Sequence, residues 1–238
     1  MSAPTVDLRP AAQRFRTGLS WLESRHSFSF GRHYDPGNTG FGLLLVSNDD
    51  VVAAGSGFST HPHRDMEIVT WVLDGALVHQ DSEGNNGLIT PGLAQRMSAG
   101  SGILHSETAD AGPVHFVQMW VVPDTERVAP SYQQRDVGAE LDAGGLVPVA
   151  SGRGHDSAIT IRQRDAVLHA ARLPAGATLA LPDAPFVHVY VARGSVDLEG
   201  AGALASGDAA RLTAAGGPSV RAVGVPAELL VWEMHSQV

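Results

Sequence analysis

Apolar residues in this chain come in short alternating runs cut by glycine and proline, and no long stretch holds a 3.6-residue period between helix caps. Alternation of Val, Leu, Thr and aromatic positions with polar ones predicts strands at Phe41–Val46, Met66–Leu73, Leu77–Asp81, Gln95–Ser98, Gly102–Glu107 and His115–Val122. A second set is expected at Ala158–Ile161, Val167–Arg172, Val187–Val191, Ser195–Leu198, Ala209–Thr213 and Leu229–Glu233. The fold class is all-β. Two patterns recur. Val72-Leu-Asp-Gly75-Ala-Leu77 resembles Val191-Ala-Arg-Gly194-Ser-Val196, 119 residues on, and Pro91-Gly92-Leu-Ala-Gln-Arg96-Met-Ser-Ala-Gly100 resembles Ser206-Gly207-Asp-Ala-Ala-Arg211-Leu-Thr-Ala-Ala215, 115 residues on. Two tandem β-barrels of about 110 residues follow. Residues 1–125 are expected to form the first barrel with an N-terminal arm, the polar Gly- and Pro-containing segment 126–154 a connection, and 155–238 the second barrel.

Composition narrows the function. With 43% hydrophobic and 17% charged residues the 238-residue chain can bury a proper core. A net charge of −9 without any Lys/Arg cluster argues against direct contact with nucleic acid or an anionic membrane. The absence of cysteine removes disulfides, thiolate metal sites and cysteine nucleophiles together, so a metal must be held by nitrogen and oxygen. The N-terminal residues lack the apolar core of a signal peptide, and no run approaches the roughly 18 apolar residues of a membrane span, so a cytoplasmic location is expected. No phosphate-binding glycine loop or serine nucleophile elbow is present.

Candidate chemistry sits in His61-Pro-His63 and His105-Ser-Glu107, each of which spaces two metal-ligand side chains by i,i+2. On a strand that spacing places both on one face. Three imidazoles and a carboxylate suit a divalent ion such as Fe(II), Mn, Ni, Cu, Co or Zn, and four protein ligands leave an octahedral ion two open positions. The repeat places Ala180, Pro182, Val220 and Ala222 at the matching positions of the second copy, none of which binds metal. One barrel is therefore expected to hold an ion and the other to be structural or part of an interface. Glu67 shares strand parity with His61 and His63, so spacing alone lets either Glu67 or Glu107 complete the ligand set. Pro62 suits a strand edge, and Asp74-Gly75 a hairpin turn. Val69, Trp71 and Leu73 share Glu67's face, mainly as core, and His79 and Asp81 are assigned a plain hydrogen-bonding role. His26, His33, His115, His155, His169, His188 and His235 are read as structural or solvated, and Trp21, Phe28, Phe30, Tyr34 and Phe41 as an arm packed over the barrel.

At several of these residues the chain resembles the pirin family: His26-Ser-Phe-Ser-Phe30, Tyr34-Asp-Pro36, Thr60-His-Pro-His-Arg-Asp-Met-Glu-Ile-Val69, Leu73-Asp-Gly-Ala-Leu77, Gln95-Arg-Met-Ser-Ala-Gly100 and His105-Ser-Glu107. The general cupin pattern is visible as Gly55, His61-x-His63, Glu67 and Gly75. The resemblance implies a bicupin, two tandem jelly-roll barrels, with metal at His61, His63, His105 and Glu107 and with Glu67 outside the ligand set. Bacterial members resemble quercetin 2,3-dioxygenases, which open a flavonol's central ring with dioxygen and release carbon monoxide. By that resemblance the expected activity is a metal-dependent dioxygenase with Fe(II) as the expected ion, a flavonol-like substrate, dioxygen as co-substrate, and Glu107 or a nearby carboxylate taking the substrate's hydroxyl proton. Nuclear members resemble transcriptional co-regulators, so the alternative is a non-enzymatic, iron-binding redox sensor read by a protein partner. A monomer is expected in either case.

Overall fold

The alternating runs become strands in a computed structural model that describes residues 4–238. The first half of the chain forms β1 (Thr5–Arg9), β2 (Phe15–Gly18), β3 (Leu22–His26), β4 (Leu44–Val52), β5 (Gly57–His63), β6 (Glu67–Asp74), β7 (Leu77–Asp81), β8 (Asn86–Ile89), β9 (Leu93–Ser98), β10 (Ile103–Ala109) and β11 (Val114–Val121). There follow β12 (Ser131–Asp136), a short helix α1 (Gly138–Asp142), β13 (Val147–Ser151), β14 (Ile159–Thr160), β15 (Ala166–Leu173) and β16 (Thr178–Ala180). The chain ends with β17 (Phe186–Arg193), β18 (Ser195–Leu198), β19 (Gly202–Ala205), β20 (Ala209–Thr213), β21 (Ser219–Ala222) and β22 (Ala227–Met234). No helix among the described residues is long and apolar enough to cross a membrane.

These strands build the two barrels that the repeat predicts. In the first, a seven-stranded sheet ordered β12-β9-β6-β11-β4-β3-β2 faces a four-stranded sheet ordered β5-β10-β7-β8. The second pairs β1-β20-β17-β22-β15-β13-β14 with β16-β21-β18-β19. The hairpin glycines of the repeat occupy equivalent places. Gly75 (φ +77°) and Gly194 (φ +75°) both leave β-geometry where the carbonyl of a proline, Pro113 or Pro226, lies 2.2 or 2.3 Å from where a Cβ would stand. Only glycine meets both conditions.

The ends of the two halves interlock. Segment 126–154 carries β12, which adds to β9 at the edge of the first barrel, and β13, which belongs to the second; β1, inside the arm, adds to β20 of the second barrel. β12 (Ser-Tyr-Gln-Gln-Arg-Asp) is half-buried on both faces, so it shows no alternation and reads as loop, yet it covers an edge that would otherwise present unpaired backbone groups.

The largest core lies between the barrels. Val69, Trp71 and Leu73 of β6 and Val117 and Met119 of β11 pack with Leu168 and Ala170 of β15, Tyr190 of β17 and Leu230 and Trp232 of β22. The second barrel fills its own interior with Val189, Val191, Val196, Leu198, Leu212, Val220 and neighbours. Inside the first barrel the apolar filling is smaller, chiefly Leu22, Val52, Val72, Leu77, Ile89 and Phe116 at one end.

Candidate metal centre and its cavity

A second apolar cluster of Ile68, Met97, Ala99 and Ile103 fills another part of the first barrel, and much of what remains of its interior is polar. β5 lies at the edge of the small sheet, which accommodates Pro62, and pairs antiparallel with β10 so that His61 stands opposite His105. Across β10, Glu107 stands opposite His79 and His105 opposite Asp81 on β7. With the hairpin glycines matched, the second barrel has Val220 and Leu198, both buried and apolar, where the first has Glu107 and His79, and Pro218 where it has His105, two residues off the placement expected from the repeat. The closeness of β5 to β10 depends on Gly57, where a Cβ would sit 2.1 Å from the Glu107 carbonyl oxygen and 2.6 Å from Thr108 Cα. Gly57→Ala is therefore expected to force the strands apart and cost about 1–3 kcal/mol. Denaturant titration and a metal-binding titration should both register it, and wild-type values in both would contradict this account of the register.

Three imidazoles converge. Ring centroids are 4.4 Å apart for His61 and His105, 4.9 Å for His61 and His63, and 4.9 Å for His63 and His105. One nitrogen from each lies within 4.8 Å of the others. His61 Nδ1 is 2.7 Å from the Ser59 carbonyl oxygen, which can only accept, so this nitrogen carries the proton and Nε2 is left bare. That bare Nε2 lies 3.1 Å from His105 Nε2. His63 Nε2 is buried without a partner. Burial, reinforced by the neighbouring imidazoles, pushes His63 down to about 4 and His105 down to about 2, so both stay neutral near pH 7 and keep a lone pair to donate. Convergent neutral nitrogens, one of them orphaned, suit a divalent cation.

A second cluster shares His105. His79, His105 and Glu107 also bring ligand atoms within 4.8 Å of one another, and all three are buried. His79 Nε2 is 3.1 Å from Asp81 Oδ2 and must donate to it, leaving His79 Nδ1 free to accept; that atom lies 3.5 Å from His105 Nδ1. The file Asp81, His79, His105 therefore favours the proton on His105 Nδ1 and a bare Nε2. Asp81 is itself fixed by the Asn85 side chain and the backbone N–H groups of Glu83 and Asn85. Glu107 accepts two bonds from Gln118 Nε2 at 3.0 and 2.8 Å, while Trp120 Nε1 donates to Gln118 Oε1 at 3.2 Å. Burial pushes Glu107 up to about 7, offset in part by Gln118 and reinforced by Asp50. At neutral pH it is poised to take up or release a proton.

His61, His63 and Glu107 line a cavity of about 630 Å³. Its apolar walls include Trp21 against Phe58 (5.4 Å, edge to face) and Phe30 against Trp120 (5.6 Å, edge to face). Trp120 also meets the His63 ring edge to face at 4.8 Å. The arm thus divides: Trp21 and Phe30 line the cavity, Phe28 and Phe41 join the core between barrels, and Tyr34 is exposed. His26, expected to be structural or solvated, also lines the cavity.

Glu67 does not share the face of His61 and His63. The chain turns at Asp65 (φ +47°), resetting the parity, and Glu67 accepts bonds from Ser98 Oγ (2.8 Å) and the Arg162 backbone N–H (3.1 Å) on the side facing the second barrel. Val69, Trp71 and Leu73 follow it there. Asp50 lines the cavity as well and was outside the expected strand, which stops at Val46. The run Ser47-Asn-Asp-Asp50 has turn-forming residues, but β4 continues through it to Val52.

Comparison with known proteins agrees with this architecture. The pirin family model matches residues 8–121, and a model described as the quercetinase C-terminal cupin domain matches residues 148–234. A Mycobacterium tuberculosis protein named "Putative quercetin 2,3-dioxygenase" is 60% identical over 237 residues, covering 98% of this chain and 97% of its own. The Escherichia coli K12 protein named quercetin 2,3-dioxygenase is 48% identical over 132 residues, 55% of this chain and 57% of its own. Among solved structures, the bacterial pirin YhhW of Escherichia coli in complex with nickel(II) superposes with a TM-score of 0.89 at 34% identity, covering 98% of this chain and 100% of that one. Two cupin barrels, the matching halves and this degree of identity over nearly the whole length place the chain in the pirin family.

Proposed function

We propose that the protein is a metal-dependent dioxygenase of the quercetinase type, acting on a flavonol-like aromatic. One observation carries the reading: three convergent imidazoles, of which His61 and His63 line an aromatic-walled cavity of about 630 Å³ and His63 keeps a buried, unpartnered Nε2, lie beside a space within the size range of small-molecule sites. Relatives named as quercetin 2,3-dioxygenases and the nickel(II) complex of a structural neighbour support it. His61, His63 and His105 would hold the ion, and Glu107 is the fourth candidate ligand, with Fe(II) the favoured metal. When bound, the ion supplies a Lewis acid for a phenolic oxygen. The chain's own residues do the rest. Glu107, held by Gln118, takes the proton of the flavonol 3-hydroxyl, while Trp21, Phe30, Phe58 and Trp120 hold the flat rings and exclude water.

Anaerobic reconstitution with each metal, followed by admission of air, tests the proposal through loss of quercetin absorbance and release of carbon monoxide. Glu107→Gln is expected to abolish turnover, by at least about 100-fold if proton removal is its role. Tight metal binding without turnover by any metal would instead favour the redox-regulator reading.

A further inference from the structure

The cavity has a second polar wall that the proposed chemistry leaves unused. Inward residues of β3 and β4 build it: Ser24, His26, Asn48 and Asp50. Two of these satisfy each other. His26 Nδ1 is 2.9 Å from Asn48 Oδ1, and His26 Nε2 is 2.9 Å from Thr17 Oγ1, so both ring nitrogens are engaged.

Asp50 differs. Only 4% of its surface is exposed, and its Oδ1 has no hydrogen-bond partner. Burial pushes its carboxyl up to about 7, against a bond from Ser24. A buried carboxyl oxygen left unpaired opposes folding, and such groups concentrate where a ligand completes them. The second barrel supplies a comparison within the same chain. Asp50 stands opposite Phe116 two residues after Val114, and the equivalent place on β15, opposite Leu229 two residues after Ala227, holds Ala171. Ala171 is buried in an apolar interior. A carboxyl thus occurs at this position in the barrel with a cavity and not in the filled one.

We propose that Asp50 is a second anchoring point for substrate: its free oxygen accepts a hydrogen bond from a hydroxyl of a flat polyphenol whose reacting oxygen lies at His61, His63 and His105. This rests on the flavonol reading above and narrows it to substrates with more than one hydroxyl. The aromatic pairs Trp21–Phe58 and Phe30–Trp120 supply the apolar contacts such a molecule needs between its polar ends.

Anaerobic binding of three probes tests it, read as quenching of tryptophan fluorescence in the nickel(II)-loaded protein: 3-hydroxyflavone, with one hydroxyl, then galangin and quercetin, with three and five. Wild type is expected to bind the better of the two polyhydroxylated probes about ten-fold more tightly than 3-hydroxyflavone, the value of one well-made hydrogen bond. Asp50→Leu should erase that preference while binding 3-hydroxyflavone as wild type does, and Asp50→Asn, which keeps an acceptor, should retain part of it. Both variants should melt no lower than wild type, because each removes a buried acid with an unpaired oxygen. An undiminished preference in Asp50→Leu overturns the inference and leaves the flavonol reading intact. A lower melting point together with equal loss of all three probes also overturns it, by marking Asp50 as structural. Should wild type bind none of the three, the flavonol reading falls and this inference with it.

Discussion

Replacing His105 with alanine is expected to eliminate metal binding, because this residue alone belongs to both ligand clusters. Its Nε2 faces the bare Nε2 of His61 at 3.1 Å, and its Nδ1 faces His79 at 3.5 Å, so one substitution removes a donor and disconnects the groups behind it. The fall in affinity should exceed the roughly 10–100-fold that losing an outer-shell partner costs. Asp81→Asn supplies the graded comparison. An amide can donate to His79 Nε2, which moves the proton to His79 Nδ1 and turns it from acceptor into donor toward His105. Affinity should then drop about 10-fold with the ligands all present. His188→Ala should leave it unchanged, since His188 is buried between the barrels, against Phe28 and beneath Arg211 rather than in the cavity. Competition titration against a chromogenic chelator measures all three. Retention of tight binding by His105→Ala would remove the metal centre from this location.

Much of this site was legible because strand parity is a strong rule within a strand. His61 with His63, and His105 with Glu107, follow directly from i,i+2 spacing, whereas the lack of ligands in the second copy said only that its barrel is structural or part of an interface; that its interior is filled by apolar side chains appears in the structure alone. Parity failed where the chain turns. Glu67 kept the right spacing from His63, but a positive φ at Asp65 reversed its face, something no residue pattern in His63-Arg-Asp-Met-Glu67 announces. Asp50 and Asn48 were hidden by composition, since polar residues facing a polar cavity break the apolar alternation that marks a strand. β12 was concealed in a similar way, since its polar side chains are half-buried on both faces and are held by long-range partners, Ser131 and Gln133 by Arg96 of β9 and Tyr132 by the ring of His79. The arm's roles were not separable in sequence. Phe28 and Phe30 lie two residues apart, yet one enters the core between barrels and the other the cavity, because β3 ends at His26 and the chain between them no longer obeys strand alternation.

A barrel that leaves much of its interior polar and open must find stability elsewhere, and the core between the barrels provides it. Trp71→Ala tests that division. Trp71 is fully buried there, and its indole N–H donates to Glu228 Oε1 across the junction at 2.8 Å. Truncation removes one of the two tryptophans of this core and leaves Glu228 only the longer contact from Arg172 Nε at 3.4 Å. A buried Trp→Ala change costs about 3–5 kcal/mol, a large part of the roughly 5–15 kcal/mol that holds a typical domain. Trp71→Phe keeps most of the packing and loses the N–H, so about 1–3 kcal/mol is expected from the under-paired carboxylate. Because β1 ties the N-terminal end of the chain to the second barrel's sheet and the two barrels share their largest core, denaturant should unfold both halves in one transition whose midpoint Trp71→Ala lowers as a whole. Below that transition the variant should bind metal as wild type does, since Trp71 and the imidazoles lie on opposite sides of the first barrel's large sheet. Two separate transitions, with only the first shifted, would show that each barrel stands alone and that the junction is a mere contact.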